Sequence, residues 1–144
     1  MNQYETVKML KEIYKSSKTA IDAISILLSK TDSPEFRDSL QNQLDSYRDI
    51  AEQAVMQLSG FRELPDDSDV FSKLGLWSAV QINTVTNKNV DHMAEIMISG
   101  STMGIVDMTR FVHSDRDMDG YAVELGNRLI NVEQKNIDIM RSFL

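Results

Sequence analysis

The chain has 144 residues, a length typical of one domain, so we expect a single domain over 1–144. Its 15 Lys and Arg and 22 Asp and Glu give a formal net charge of −7, which argues against nucleic acids and anionic membranes as partners. The absence of cysteine excludes disulfides, thiolate metal sites and cysteine nucleophiles. With only two histidines, a histidine-rich metal cage and a conventional catalytic triad have little to draw on.

The sequence carries no sign of export or membrane insertion. Residues 1–8 are polar and lack the apolar stretch of a secretory signal. No apolar run approaches the roughly 20 residues that cross a bilayer. We therefore expect a soluble, cytoplasmic protein.

Two long helices are predicted in the first half of the chain, at about 3–30 and about 34–59. Ser33-Pro34 is typical of a capped helix start, and Gly60 is expected to be the C′ residue just after the second helix. Inward-facing residues recur at steps of three and four in both. In the first helix they are Val7, Leu10, Tyr14, Ser17, Ile21, Ile24 and Leu28, and in the second Leu40, Leu44, Tyr47, Ala51, Ala54 and Leu58.

The region after residue 60 begins with a polar connector over 61–69. A single helix over 69–112 would be about 65 Å long, against about 40 Å for its neighbours, so we expect a break. Asn and β-branched residues over 82–89 favour that place. The prediction is a shorter helix near 69–84 that contains Trp77, followed by a core helix near 89–112 capped by Asn89.

The last helix is predicted at about 117–143. Its expected inward-facing residues are Met118, Ala122, Leu125, Leu129, Val132, Asn136, Ile139 and Phe143. Tyr14, Tyr47 and Asn136 are expected to form a buried hydrogen-bonding layer, which more often sets helix register than performs chemistry. No stretch shows the alternation of a strand, so the fold class is all-α, a bundle of four core helices with an extra short helix.

The core helix near 89–112 has an unusual composition. One face carries Val90, Met93, Met97, Ser101, Gly104, Met108 and Phe111, while Ile96, Ile98, Met103, Ile105 and Val106 place apolar surface elsewhere. A helix that is apolar on more than one face is buried on more than one face. We expect self-association, with a dimer favoured, through an interface of Met93, Met97, Gly100, Gly104 and Met108. The alternative is a small-molecule or helical partner that uses this Met-rich helix and Trp77.

Two segments resemble known proteins. The run His92–Gly104 and the run Asn131–Asn136 are similar to segments of small, uncharacterised ferritin-like proteins from Gram-positive anaerobes. The resemblance implies a ferritin-like bundle and raises the question of bound iron. The connection between the second and third core helices is long enough to run the length of a bundle, as the crossover of ferritin-like folds does, and both this topology and an up-down-up-down one stay open. It implies no activity, because that family has none assigned.

An iron site has little support from the residues. A di-iron carboxylate site takes Glu-x-x-His from two helices, and this chain contains only the reverse, His92-x-x-Glu95, off the inward face. At mid-height we expect Ser17, Tyr47, Ser101 and Leu129 instead of Glu or His. A bundle without a metal centre is therefore the favoured interpretation, and iron in the bundle is the alternative.

Two further metal hypotheses rest on partial motifs. Asp115-x-Asp117-x-Asp119-Gly120 matches the first half of an EF-hand loop, but Gly126 stands where the bidentate ligand belongs. An acidic turn that caps the last helix is the favoured interpretation, and weak calcium binding is the alternative. The clustered methionines are more typical of adaptable core packing than of a copper site.

No catalytic motif is present. The chain lacks a phosphate-binding Gly-rich loop, a Gly-x-Ser-x-Gly elbow and His-Glu-x-x-His. No pair of buried carboxylates is evident either. We expect a non-catalytic protein without a cofactor.

Overall fold

The computed structural model of the chain describes residues 2–65, 89–114 and 117–144. These residues form four helices: α1 (Gln3–Leu28), α2 (Pro34–Gly60), α3 (Val90–Val112) and α4 (Gly120–Arg141). Strands are absent from the described ranges, so the all-α prediction is confirmed. The four core helices lie within a few residues of their predicted bounds. The shorter helix expected near 69–84, with Trp77, lies outside the described residues.

Helix α2 begins as predicted but ends differently. The Ser33 hydroxyl accepts a hydrogen bond from the Phe36 amide at 3.2 Å, and Pro34 is the first helical residue. At the other end, Gly60 remains helical, and Arg62 adopts the left-handed conformation with φ 59°. The Glu63 amide donates to the Leu58 carbonyl at 3.0 Å, as in a Schellman motif. The expectation that Gly60 is the C′ residue was wrong, because Gly60 is the last helical residue and Arg62 occupies the C′ position.

Helices α3 and α4 start at polar residues whose side chains make no capping hydrogen bond. Asn89 occupies the predicted N-cap position of α3, and Asp119 occupies that of α4. The expected capping by the Asp119 side chain is therefore not observed. Instead, the Asp119 backbone amide donates to the Thr6 hydroxyl at 2.9 Å.

Contacts at the two ends of the bundle establish the helix directions. Near the start of α1, the Asn2 amide donates to the Asp117 carbonyl at 2.7 Å, just before α4. At the opposite end, the rings of Phe36 and Phe143 meet edge to face with centroids 5.1 Å apart. Helices α1 and α4 are therefore parallel. Because α1–α2 and α3–α4 are antiparallel hairpins, α2 and α3 are parallel as well.

The bundle core contains most of the predicted inward-facing residues. All six positions predicted for α2 are buried. In α4, however, the buried residues follow the sequence Leu125, Leu129, Glu133, Asn136 and Met140, so Glu133 faces inward where Val132 was expected. The error arose because steps of three and four both fit a helix, and Val132 is the apolar choice.

Helix α4 packs closely against α1 and α3 at Gly126. A Cβ atom at Gly126 would overlap with the Met9 side chain of α1 and would lie 3.1 Å from Cγ2 of Val112 in α3. The contact between α1 and α3 is less extensive than the contact within either hairpin. This looser side of the bundle is where a pocket opens. None of the described helices is both long enough and apolar enough to cross a membrane.

Candidate functional site

A carboxyl group lies inside the bundle beside a tyrosine. Glu133 of α4 is 5% exposed and Tyr47 of α2 is fully buried. The Tyr47 hydroxyl donates a hydrogen bond to Oε1 of Glu133. Such a pair joins two helices through a polar contact in a largely apolar core.

Burial controls the ionisation of both groups. Desolvation raises the pKa of Glu133 from 4.5 to about 8, although the Tyr47 and Ser101 hydroxyls oppose this rise by stabilising the carboxylate. The pKa of Tyr47 is raised well above its usual 10, first by burial and then by the charge of Glu133. At neutral pH, Glu133 is therefore mostly a neutral carboxylic acid, and Tyr47 is a neutral phenol.

The pair lines a pocket of about 270 Å³ between α1 and α3. The inner part is formed by buried residues, and Met103 and Asp107 are exposed at its rim. The described lining residues include five hydroxyl or carboxyl side chains in addition to Tyr47, and a set of small or apolar ones. In chain order they are Ser16, Thr19, Ala20, Ala23, Tyr47, Met97, Gly100, Ser101, Met103, Gly104, Asp107 and Glu133.

Gly104 provides the space that Glu133 occupies. A Cβ atom at position 104 would overlap with Oε2 of Glu133 and would lie 3.1 Å from its carboxyl carbon. Any larger residue would therefore displace the carboxyl group. The glycine on α3 and the glutamate on α4 form one local arrangement.

Asn136 leaves an unmet hydrogen-bonding need in the same region. Its side chain is 3% exposed and close enough to Tyr47 to lower the pKa of the phenol. Its amide nitrogen nevertheless has no hydrogen-bond partner within the described part of the chain. Buried donors are normally paired, and Asn136 is not among the residues that line the pocket, so this nitrogen is an unpaired donor within the core.

The predicted polar layer forms in part. Tyr47 and Asn136 are buried near each other, as expected, whereas Tyr14 is half-buried and is not among the residues that line the pocket. The member that sequence reasoning missed is Glu133. The signal that could have found it is the spacing from Leu125 through Leu129, which reaches 133 after another step of four.

The five residues predicted to form an interface on α3 differ in burial: the three methionines are in the core, and the two glycines line the pocket. Met93, Met97 and Met108 are at most 3% exposed within the single chain. Gly100 and Gly104 are half-buried and line the pocket. The exposed apolar side chains of this helix are Met103 at 47% and Val106 at 42%. Self-association through α3 stays a prediction.

The described residues of the metal hypotheses lie at two separate places in the sequence, and most of them are exposed. Nδ1 of His92 lies 3.5 Å from Oε2 of Glu95, and both side chains are exposed. Asp117 is exposed and Asp119 is half-buried, while Asp115 lies outside the described residues. Within the ranges that the structure describes, no group of three or more His, Cys, Asp or Glu side chains is placed to hold a metal ion.

Comparison with known proteins gives one structural neighbour of note. No family model matches the chain, and no curated protein matches it. The fold is similar to a crystal structure described as a DUF305 fragment from Deinococcus radiodurans, with a TM-score of 0.76 and 14% sequence identity. The similarity covers 96% of this chain and 93% of that one. At this identity the likeness concerns the fold alone, a helical bundle.

Proposed function

We propose that this chain is a non-catalytic helical-bundle protein that binds a small organic molecule between α1 and α3. The observation that carries the proposal is the 270 Å³ pocket with the Tyr47–Glu133 pair at its inner end. An apolar cavity of about 150 Å³ accommodates benzene, so this volume suits a ligand of about eleven non-hydrogen atoms. Apolar walls with a few converging polar groups are typical of ligand sites.

The free-energy cost of burying the Glu133 carboxyl favours a role in binding over a purely structural one. A buried carboxyl group is expensive, and an apolar side chain of similar size commonly stabilises a core better. Glu133 also borders a cavity, where a ligand with a polar group can meet its carboxyl.

Methyl NMR of protein labelled at its methionines tests the proposal, with 2-phenylethanol as probe. Met97 and Met103 line the pocket, whereas Met56 is exposed on α2 and Met140 lies in the core outside the pocket. We expect saturable shifts of the Met97 and Met103 signals and unchanged signals for Met56 and Met140. Shifts absent from the first pair, or equal at all four, would contradict the proposal.

A blocking substitution provides the matched control. Ala20→Leu adds bulk to the pocket wall and is expected to abolish the probe-induced shifts. Ser25→Leu adds the same side chain to an exposed position of the same helix, outside the pocket, and is expected to preserve them. Equal loss in both variants would point to a general effect on the fold.

We also propose that the bundle is ferritin-like and that α3 mediates self-association. Parallel α2 and α3 joined by a long connection support the first proposal, since ferritin-like bundles contain one such crossover. Exposed Met103 and Val106 support the second. Sedimentation velocity at micromolar concentration tests it, and a monomer there would remove it. The cytoplasmic location and the alternative of a bound metal, either iron or calcium, stay predictions.

A further inference from the structure

The charges around the pocket favour a ligand of one sign. Among its described lining residues, the ionisable ones besides Tyr47 are Glu133 inside and Asp107 at the rim, and none is Lys, Arg or His. An anionic ligand would meet two acidic groups without a cation to pair with. The formal net charge of −7 also repels anionic ligands and attracts cationic ones over longer distances.

Glu133 lies in the pocket wall next to a glycine. Its Oε1 accepts a hydrogen bond from the Tyr47 hydroxyl, its Oε2 lies against Gly104 of α3, and the Ser101 hydroxyl also stabilises the carboxylate. The hydroxyls of Ser16, Thr19 and Ser101 line the same pocket. Thr19 donates its proton to the Lys15 carbonyl at 2.8 Å, which leaves its oxygen as an acceptor.

We propose that the pocket binds a primary organic amine in its ammonium form, with Glu133 as the counter-ion. The inference rests on the proposed function and names its ligand class. An ammonium group has three donors and no acceptor, which matches a carboxylate and hydroxyl oxygens. The apolar body of the amine would pack against Ala20, Ala23 and Met97.

Binding is coupled to a proton. The groups around Glu133 are Tyr47 from α2, Ser101 and Gly104 from α3, and Asn136 on its own helix, with Asp107 at the rim. None of them is a cation, so the free protein keeps Glu133 protonated at neutral pH. When the ammonium enters, the Glu133 proton leaves to solvent, and the carboxylate–ammonium pair replaces the neutral acid.

The expected pH dependence follows from this exchange. Affinity for the amine should rise about tenfold per pH unit below pH 8, where Glu133 must lose a proton. It should level off above that pH and fall again as the amine loses its own proton, near pH 10 for an amine like that of lysine.

Calorimetric titration with three probes at pH 8 tests the ligand class. The probes are 2-phenylethylamine, 2-phenylethanol and 3-phenylpropionate, which share a body and differ in their polar group. We expect the amine to bind at least tenfold more tightly than the alcohol, and the carboxylate to bind most weakly. Binding of the alcohol at equal or higher affinity overturns the inference and leaves the pocket proposal intact, whereas no binding of any probe contradicts both.

Substitution of the counter-ion provides the second test. Glu133→Gln keeps the shape and the acceptor for Tyr47 but removes the charge, so it should lower amine affinity at least tenfold and keep alcohol affinity within about twofold. Glu52→Gln makes the same change at an exposed position of α2 and should alter neither. Unchanged amine affinity in Glu133→Gln overturns the inference.

Proton release in the wild-type protein covers the case in which that variant does not fold. At pH 6.5, amine titrations in two buffers of different ionisation enthalpy should show about one proton released per amine bound. Release close to zero would overturn the proposal without any substitution.

Discussion

The buried acid Glu133 makes the stability of this protein depend on pH. The pKa of Glu133 is about 8 in the folded chain, against 4.5 for an exposed glutamate. Because the folded state holds the proton more tightly, the stability associated with it is fully present below pH 4.5 and is lost as pH rises toward 8. The group acts opposite to a salt-bridged carboxylate, which stabilises at high pH.

We predict that the free energy of unfolding falls by about 1.4 kcal/mol per pH unit between pH 5.5 and 7.5 through this group. The difference between wild type and Glu133→Gln should therefore change by about 3 kcal/mol over that range. Urea denaturation at several pH values measures it. Parallel profiles for the two proteins would contradict the prediction, and Glu52→Gln should leave the wild-type slope unchanged because Glu52 is exposed.

The same residue shows what single-sequence reasoning misses. Tyr47, Ser101 and Leu129 were predicted inside and are buried. Glu133 was not predicted inside, because a hydrophobic pattern selects the apolar Val132 over its charged neighbour. Only the surroundings on other helices, namely Tyr47 and the space beside Gly104, explain why the carboxyl group faces inward.

At the scale of the helices, the end of α2 retains backbone strain. Arg62 adopts φ 59°, a conformation that costs a non-glycine residue about 1–2 kcal/mol. We predict that Arg62→Gly stabilises the protein by about 1 kcal/mol, since glycine adopts this region freely but loses more entropy on folding. Arg62→Ala removes the same side chain and keeps the strain, so it should not stabilise. Thermal unfolding distinguishes them, and equal stabilisation by both would assign the effect to the lost arginine.

Helix positions were predictable to the extent that they depend on local chemistry. Ser33-Pro34 marks a start by capping and fixed φ, and the pattern of α2 is regular enough to place all its inward residues. The α2 terminus was not predictable in the same way, because the left-handed residue is Arg62 and the glycine stands two positions earlier. The pocket was not predictable either, since it depends on which helices adjoin and how closely.

At the scale of the whole molecule, a small set of polar contacts holds α1 to the turn before α4. The buried Thr6 hydroxyl accepts a hydrogen bond from the Asp119 backbone amide. We predict that Thr6→Val costs about 1–2 kcal/mol of stability, because valine fits the space but leaves that amide unpaired. Thr102→Val is the control: its exposed hydroxyl bonds the Ile98 carbonyl within α3, so the cost should stay below about 0.5 kcal/mol. Equal losses in urea denaturation would contradict the role of the contact between helices.

The relative directions of the four helices in the bundle could not be predicted from the sequence. Both an alternating bundle and one with a crossover accommodate the same four amphipathic helices, and only the contacts of Asn2 and Phe143 distinguish them. The similarity to the DUF305 fragment extends over nearly the entire chain at 14% identity, so the bundle is compatible with very different sequences. A shared fold therefore does not imply a shared binding site, which has to be argued from the residues of this chain.

Parallel α1 and α4 also determine how this protein can be joined to others. The start of α1 and the end of α4 lie at opposite ends of the bundle, about 33 Å apart along a 22-residue helix. A circular permutant would need a linker of at least about ten extended residues to connect them. Tags fused before α1 and after α4 would project in opposite directions, and tandem copies would form an end-to-end array.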